Sequence, residues 1–171
     1  MTETYAGYAP PTERPPFAAY ATFATAFHAA MAGAVAAAKR SGRELPDHVA
    51  PGDVILIGTA SYKLSRLISK KKVTAFVRAP FTELEGRGGR AELEERPRGR
   101  GLRRAMGELL VCPYCLGLWA SGAFHAGLLF APRATRFSAS VLTAMTISDF
   151  LQIAYRAAEE RGLGDRVTTP E

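Results

Sequence analysis

The stretch LLVCPYCLGLWASGAFHAGLLFAP, residues 109–132, decides the fold class of this 171-residue chain. It contains no Asp, Glu, Lys or Arg, and as a helix it is long enough to cross the hydrocarbon core of a bilayer. Pro113 suits the first position of a helix, and Pro132 ends the apolar run. The stretch therefore predicts a transmembrane helix that begins after a turn at Cys112 and Pro113.

Counting this stretch as the third segment, three other segments have the composition of helices. The first, residues 17–38, is uncharged and rich in alanine, which favours helix but enters a membrane weakly. It is therefore either a fourth span or a soluble helix. In the second, residues 53–69, Asp53 is the expected N-cap, and the amine of Lys63 must reach toward water. The fourth, residues 135–158, carries Asp149 as its only charge over some twenty residues after Arg136.

Small residues recur at four-residue steps in the last three segments. They are Ser61 and Ser65, Gly117 and Ser121, and Ser140, Ala144 and Ser148. Such stripes let helix backbones approach closely in a membrane, whereas the helices of a soluble bundle more often meet through Leu and Ile. The sequence therefore predicts an all-α fold, a small polytopic membrane protein with three to four transmembrane helices. The alternative is a soluble helical interaction protein.

On this interpretation the chain has five parts. They are a flexible N-terminal arm (1–16), the Ala-rich helix and the short transmembrane helix (17–69), a basic cytoplasmic arm (70–104), a transmembrane helical pair with a CPYC motif (105–158) and a polar tail (159–171). Within the basic arm, residues 73–84 are expected to hold a short surface helix broken at Pro80. Residues 86–101, GRGGRAELEERPRGRG, have the composition of loop or disorder.

The distribution of charge orients the helices. The net charge is +6, and residues 70–104 hold eleven of the 22 basic residues. Because loops on the cytoplasmic side are enriched in Lys and Arg, the basic arm is expected inside the cell. Segments two and four then run toward that arm and segment three runs away from it. If segment one spans, the N-terminus also lies inside.

The basic arm has the charge of a binding surface. Its composition argues against nucleic acid as a ligand, because the arm is interleaved with acids and has no aromatic residue after Phe81 for base stacking. The expected partners are anionic lipid head groups, a membrane or cytoplasmic protein, or a second copy of the chain.

Three charged residues of the helices gather near the inner end. At 1.5 Å per residue, Lys63 lies about 10 Å and Asp149 about 9 Å from the inner boundary, with Arg66 nearer to it. Because charges inside a membrane usually pair, Asp149 is predicted to pair with Lys63 or Arg66. We expect this pair to fix the packing of the helices, and a proton or ion pathway is the alternative.

Cys112 and Cys115 form the one chemistry-bearing motif of the sequence. Cys112 is expected at the N-cap of a helix, where free amides and the helix dipole favour its thiolate, and Cys115 is close enough to react with it. This arrangement suits dithiol exchange, and CPYC is the active-site string of glutaredoxins. The strands that a thioredoxin fold needs around the motif are absent from the sequence pattern, so packing at a helix kink is preferred.

A zinc site is a further alternative for the two cysteines, although no cofactor is predicted. Two thiolates supply half of a tetrahedral site, and His125 lies about 15 Å along the same helix, so a second chain would have to complete it. His28 and His125 are expected near mid-bilayer as hydrogen-bonded packing residues. Contact between the two histidines is the alternative.

Three strings together resemble a known family. ASYKLSRLI (60–68), VTAFVRAPF (73–81) and GELLVCPYCLGLW (107–119) are similar to segments of the bacterial domain-of-unknown-function family 1360. The likeness covers about residues 53–159, and its most specific part carries the motif residues Cys112, Pro113, Tyr114, Cys115, Gly117 and Trp119. The resemblance implies a small protein of the bacterial cell membrane and implies no activity.

The leading hypothesis is therefore a multi-pass membrane protein without enzymatic activity. It would act as a scaffold or accessory subunit whose basic arm meets a partner or lipid head groups. The alternative is a membrane-embedded dithiol oxidoreductase or redox or metal sensor, with Cys112 as nucleophile and Cys115 as resolving thiol.

Overall fold

The computed structural model describes residues 7–10 and 14–168, with side chains described as far as Arg161. Its elements are α1 (Phe17–Arg40), α2 (Pro51–Lys70), a 3-10 turn (Lys72–Thr74), α3 (Ala75–Arg78), β1 (Thr82–Arg87), β2 (Leu93–Pro97), α4 (Gly101–Val111), α5 (Pro113–Phe130) and α6 (Pro132–Thr168). Residues 1–6 and 11–13 of the predicted flexible arm and residues 169–171 of the predicted tail lie outside the described residues. Residues 159–168 continue α6, so the helix extends beyond its predicted end.

The fold is mostly helical, as predicted, but the description all-α is incomplete. Strands β1 and β2 form an antiparallel hairpin with a bulge between Leu84 and Gly86. The hairpin replaces the end of the surface helix predicted over residues 73–84, of which α3 is the helical part, and most of the loop or disorder predicted over residues 86–101. Opposite charges face each other across the strands, and Arg96 Nη2 lies 2.8 Å from Glu83 Oε2. The prediction failed because these strands are paired by charge and backbone hydrogen bonds and lack the apolar alternation that identifies most strands.

A buried arginine attaches the hairpin to α2. The side chain of Arg78 has no exposed surface, and its Nε donates to Glu95 Oε2 on β2 at 2.6 Å. Its Nη1 donates to the carbonyl oxygens of Ile68 and Lys71 at the C-terminal end of α2, and to Thr74 Oγ1. One guanidinium therefore bonds the end of a helix, the 3-10 turn and a strand at once.

Helix α2 lies between α5 and α6 and is the central element. Ala60, Ser61 and Ser65 are buried, and a Cβ on Gly117 would lie 3.9 Å from Ser65 Oγ. The small residues predicted to form a seam on the second segment therefore lie inside the bundle, opposite α5.

The predicted seam on the fourth segment is wrong. Ser140, Ala144 and Ser148 are exposed, and the face of α6 turned toward α2 carries Ala139 and Thr146, which are buried. Helix α6 is oriented by polar contacts on that face, among them a hydrogen bond from Thr143 Oγ1 to the carbonyl oxygen of Leu56 and ion pairs to α2. These contacts, rather than the smallest residues, select the face.

The chain bends by 85° between α4 and α5, at the predicted turn. Helix α4 lies against the base of the hairpin, where a Cβ on Gly107 would come within 2.5 Å of the Phe81 carbonyl oxygen. Glycine at this position therefore permits the close approach of α4. Gly122 has the same role between α5 and α1, where the ring of Phe27 occupies the space of a Cβ.

Among the described residues, two helices are long and apolar enough to cross a membrane, namely α1 and α6 over residues 132–161, and the bent pair α4–α5 makes up to three. Helix α2, predicted as one of the spans, does not have this composition. The physical reason is charge, since Asp53, Lys63 and Arg66 all fall within any 18 consecutive residues of this helix. Helix α1, predicted only as a further candidate, qualifies by its length and composition.

Replacing Arg78 with lysine tests how the hairpin is held. Lysine keeps the charge but cannot reach Glu95, the helix carbonyls and Thr74 together, so R78K should destabilise the hairpin by about 3 kcal/mol. Hydrogen exchange of the hairpin amides measures this loss. The matched control is R96K, whose exposed pair with Glu83 should contribute no more than about 1 kcal/mol. Equal effects of the two substitutions would contradict the role of Arg78.

Candidate functional site

Every charged side chain of α2 is paired with a residue of another element. Asp53 binds Arg136 on α6, Lys63 binds Asp149 on α6, Arg66 binds Glu92 in the hairpin loop, and Lys70 binds Glu94 on β2, with nitrogen–oxygen distances of 2.7, 2.5, 3.0 and 3.2 Å. These pairs run in order along the helix. They connect α2 to α6 over most of its length and to the hairpin at its C-terminal end.

The pair between Lys63 and Asp149 is asymmetric in burial. The side chain of Lys63 is 7% exposed, whereas that of Asp149 is 50% exposed and borders a cleft. Of the two partners predicted for Asp149, the structure brings Lys63 to it and places Arg66 against Glu92 instead. The ammonium group of Lys63 therefore depends on Asp149, while Asp149 is also accessible from the cleft.

Glu92 links the hairpin loop to α2. Its two carboxylate oxygens accept hydrogen bonds from Arg66 Nη2 at 3.0 and 3.1 Å, and Lys71 Nζ lies 3.2 Å away. Burial by itself raises the pKa of this carboxyl, but the hydrogen bond from Lys71 and the charges of Arg66 and Lys71 outweigh it and lower the pKa below its ordinary value. The contact therefore stabilises the fold at neutral pH and is lost as the pH falls through that lowered value.

An open cleft of about 640 Å³ lies between α2, α6 and the hairpin loop. Its charged lining consists of Arg66, Lys71, Arg90, Arg156, Glu92, Asp149 and Glu160. Its other lining residues include the apolar side chains Phe150 and Ile153 and the polar side chains Tyr62, Thr146 and Gln152. The cations of the cleft thus come from the C-terminal end of α2, the hairpin loop and α6, and its apolar side lies on α6.

The CPYC motif lies apart from this cleft, at the bend between α4 and α5. Cys112 is the N-cap of α5, as predicted, and its Sγ accepts a hydrogen bond from the Cys115 amide at 3.2 Å. Both cysteines are free, with Cys115 exposed. Tyr114 is 90% exposed and follows Pro113 in the first turn. The thiols therefore do not share a site with Lys63 and Asp149.

Residues further along the motif contribute to packing. The rings of Trp119 and Phe27 lie edge to face, with centroids 5.4 Å apart, and connect α5 to α1. Tyr20 on α1 donates a hydrogen bond to Glu108 on α4 at the same end as the cysteines. Trp119 therefore belongs to the interface of α1 with α5, and Gly117 belongs to the interface with α2.

His28 and His125 each donate from Nδ1 to a carbonyl oxygen four residues earlier in their own helix, at 2.8 Å. No three side chains of His, Cys, Asp or Glu are grouped as a metal site among the residues whose side chains are described. A zinc site at the cysteines would therefore need ligands from beyond these residues.

Some residues of this region were not singled out from the sequence. Arg78 and Glu95 form a buried pair, and Glu92 anchors the hairpin loop, yet these residues had been assigned to a solvated basic arm. The Asp53–Arg136 pair was also missed, because Asp53 was expected to cap its own helix. The string VTAFVRAPF, with an arginine between apolar residues, was the available signal for Arg78.

The asymmetric burial of the Lys63–Asp149 pair predicts unequal effects of substitution. D149N leaves a buried ammonium group without its counter-charge, which should cost about 3 kcal/mol, whereas K63Q leaves a half-exposed carboxylate and should cost about 1 kcal/mol. Thermal unfolding in detergent, followed by Trp119 fluorescence, should show a decrease of roughly 6 °C or more for D149N. A larger effect of K63Q would contradict this interpretation of the pair.

Comparisons with known proteins agree with the resemblance seen in the sequence. The chain is 32% identical over 82 residues to the UPF0713 protein YngL of Bacillus subtilis (strain 168), a match that covers 46% of this chain and 59% of that relative. No solved structure matches the chain. The sequence profile described as "Protein of unknown function (DUF1360)" matches residues 56–155, which include most of α2, the hairpin, the CPYC motif and most of α6. The chain belongs to the DUF1360 family.

Proposed function

We propose that the protein is a multi-pass protein of the bacterial cell membrane that acts as a scaffold or accessory subunit. The observation that carries this proposal is the exposure of apolar helix surface. Of the 24 residues of α1, only Ala19 and Ala38 are buried. Helix α6 exposes a series of large apolar side chains, namely Phe137, Val141, Met145, Ile147, Phe150, Leu151, Ile153 and Tyr155. Water does not favour such surfaces, whereas lipid does.

The directions of the helices support the same proposal. The contacts Asp53–Arg136 and Lys63–Asp149 show that α2 and α6 run in the same direction. Phe27 on α1 packs on Trp119 of α5, and Arg43, just after α1, donates to the carbonyl oxygen of Leu129 near the end of α5, so α1 and α5 also run in the same direction. These relations agree with the topology expected from charge, in which segments two and four run toward the basic arm and segments one and three run away from it.

Helix α2 fits this arrangement as a span packed between α5 and α6. Its charges would be costly against lipid, but the structure pairs all of them with other elements and buries Lys63 in the bundle. Charged residues inside membranes occur where they face the interior and find partners. With α5 and α6 against it and α1 packed against α5, α2 would complete a four-helix membrane domain.

The hairpin end would be the binding surface of the scaffold. Several of its cations, Lys72, Arg87, Arg90 and Arg100, have no side-chain partner among the described residues, and Val73 and Phe76 beside Lys72 are more than 70% exposed. A surface of cations and apolar side chains suits contact with anionic lipid head groups or with an acidic protein at the membrane, including a second copy of the chain.

Labelling of single cysteines in cells tests the topology. In a background of C112S and C115S, we expect a membrane-impermeant maleimide to label D47C in intact cells and R90C only after permeabilisation. Position 47 lies in the loop between α1 and α2, and position 90 lies at the hairpin tip. Labelling of position 90 in intact cells would overturn the orientation, and release of the protein by alkaline carbonate would overturn the membrane location in favour of a soluble protein.

A dithiol function is the second candidate, and the N-cap geometry of Cys112 favours it. Its sulfur accepts a backbone amide at the start of α5, a position that stabilises thiolates, and Cys115 is exposed one turn away. In that function Cys112 would attack a disulfide of a second protein, and the Cys115 thiolate would then release the reduced partner by closing an intramolecular disulfide.

Alkylation across pH separates this candidate from a packing role. If the protein is a dithiol enzyme or sensor, the alkylation rate of Cys112 in the C115S variant should rise with an apparent pKa at least about one unit below that of a free thiol, which is about 8.5. The C112S variant, which keeps Cys115, is the matched control and should show no such shift. An unshifted Cys112 would exclude the dithiol function.

A further inference from the structure

We infer that the cleft between α2, α6 and the hairpin loop binds the phosphate of an anionic phospholipid. This inference rests on the proposed membrane location and names a specific site within the basic end. The required chemistry is a set of cations that are not already neutralised, beside an apolar surface for the acyl chains. The cleft supplies both.

The charges of the cleft leave two guanidinium groups available. Glu92 is neutralised by Arg66 and Lys71, and Asp149 is neutralised by Lys63. The remaining charged residues of the lining are Arg90, Arg156 and Glu160. Neither of the two arginine side chains has a side-chain partner among the described residues. With Lys63, which pairs with Asp149 but does not itself line the cleft, there are five cations at the cleft and three acids. The net charge favours an anion, and the guanidinium fork matches phosphate oxygens in pairs.

The two arginines come from different elements. Arg90 lies in the hairpin loop, which Glu92 fastens to α2, and Arg156 lies on α6. An anion held by both would therefore bridge the hairpin to α6. The ion pairs of α6 described above connect it to α2, so this bridge would add an ionic link from α6 to the hairpin loop.

The surroundings favour a lipid over a free phosphate ion. Phe150 and Ile153 line the cleft one to two turns before Arg156 and are each more than 60% exposed. They continue the apolar surface of α6 that is proposed to contact lipid. A phospholipid with its phosphate at the arginines could lay its acyl chains along this surface, whereas inorganic phosphate would use only the cationic side.

Binding of short-chain lipids to the purified full-length protein tests the site. In detergent, dioctanoyl phosphatidylglycerol should bind at least about tenfold more tightly than dioctanoyl phosphatidylcholine, as measured by titration at fixed salt. The R90Q/R156Q double variant should lose about tenfold of that affinity. The control, R40Q/R133Q, removes the same charge from exposed arginines at the opposite end of the bundle and should lose less than about twofold.

Equal losses in the two double variants would overturn the site, as would equal binding of the two lipids. Inorganic phosphate that displaces the anionic lipid at the lipid's own concentration would overturn the assignment to a lipid. Carbonate extraction of the same variants keeps this inference separate from the proposed function. If R90Q/R156Q stays in the membrane but binds lipid like the unaltered chain, the inference fails and the membrane location stands.

Discussion

Helix α2 brings charged side chains of both signs into the bundle, and the fold depends on pairing each of them with an opposite charge from another element. Lys63 is nearly buried, so its ammonium group requires the carboxylate of Asp149, and this requirement fixes how α6 is placed and rotated against α2. The pair between Asp53 and Arg136 fixes the position of α6 against α2 in the same way at the N-terminal ends of the two helices. Because a buried charge without a partner is costly, these pairs exclude other registers of the two helices more strongly than small side chains could.

The hairpin extends the same principle beyond the helices. Arg78 is fully buried, yet each of its nitrogens reaches an oxygen of α2, the 3-10 turn or Glu95, so its desolvation is offset by a complete set of charge-assisted hydrogen bonds. Glu92 adds a second attachment through Arg66 and Lys71. A segment rich in Gly and Arg is thereby folded at one end of the bundle, where it forms one wall of the cleft.

The helices and the bend were predictable, whereas the hairpin and the interfaces were not. Uncharged runs and prolines marked α1, α5 and α6, and Pro113 marked the turn to α5, because both signals are local. The hairpin was not predicted because its strands are stabilised by cross-strand charged pairs such as Arg96–Glu83. In the sequence, such charged residues have the composition of a solvent-exposed loop. The small residues Ser140, Ala144 and Ser148 predicted a helix–helix interface. They are exposed instead, because the ion pairs of α6 place a different face of this helix against α2.

The sequence by itself determined the family, the helical segments, the concentration of positive charge in residues 70–104 and the position of Cys112 at a helix start. Each of these depends on residues close together in the chain. Only the tertiary structure decided that Arg66 pairs with Glu92 rather than Asp149, that Arg78 is buried, and that Arg90 and Arg156 face one cleft. Charges attract any opposite charge within reach, so their partners are chosen by which helix faces meet.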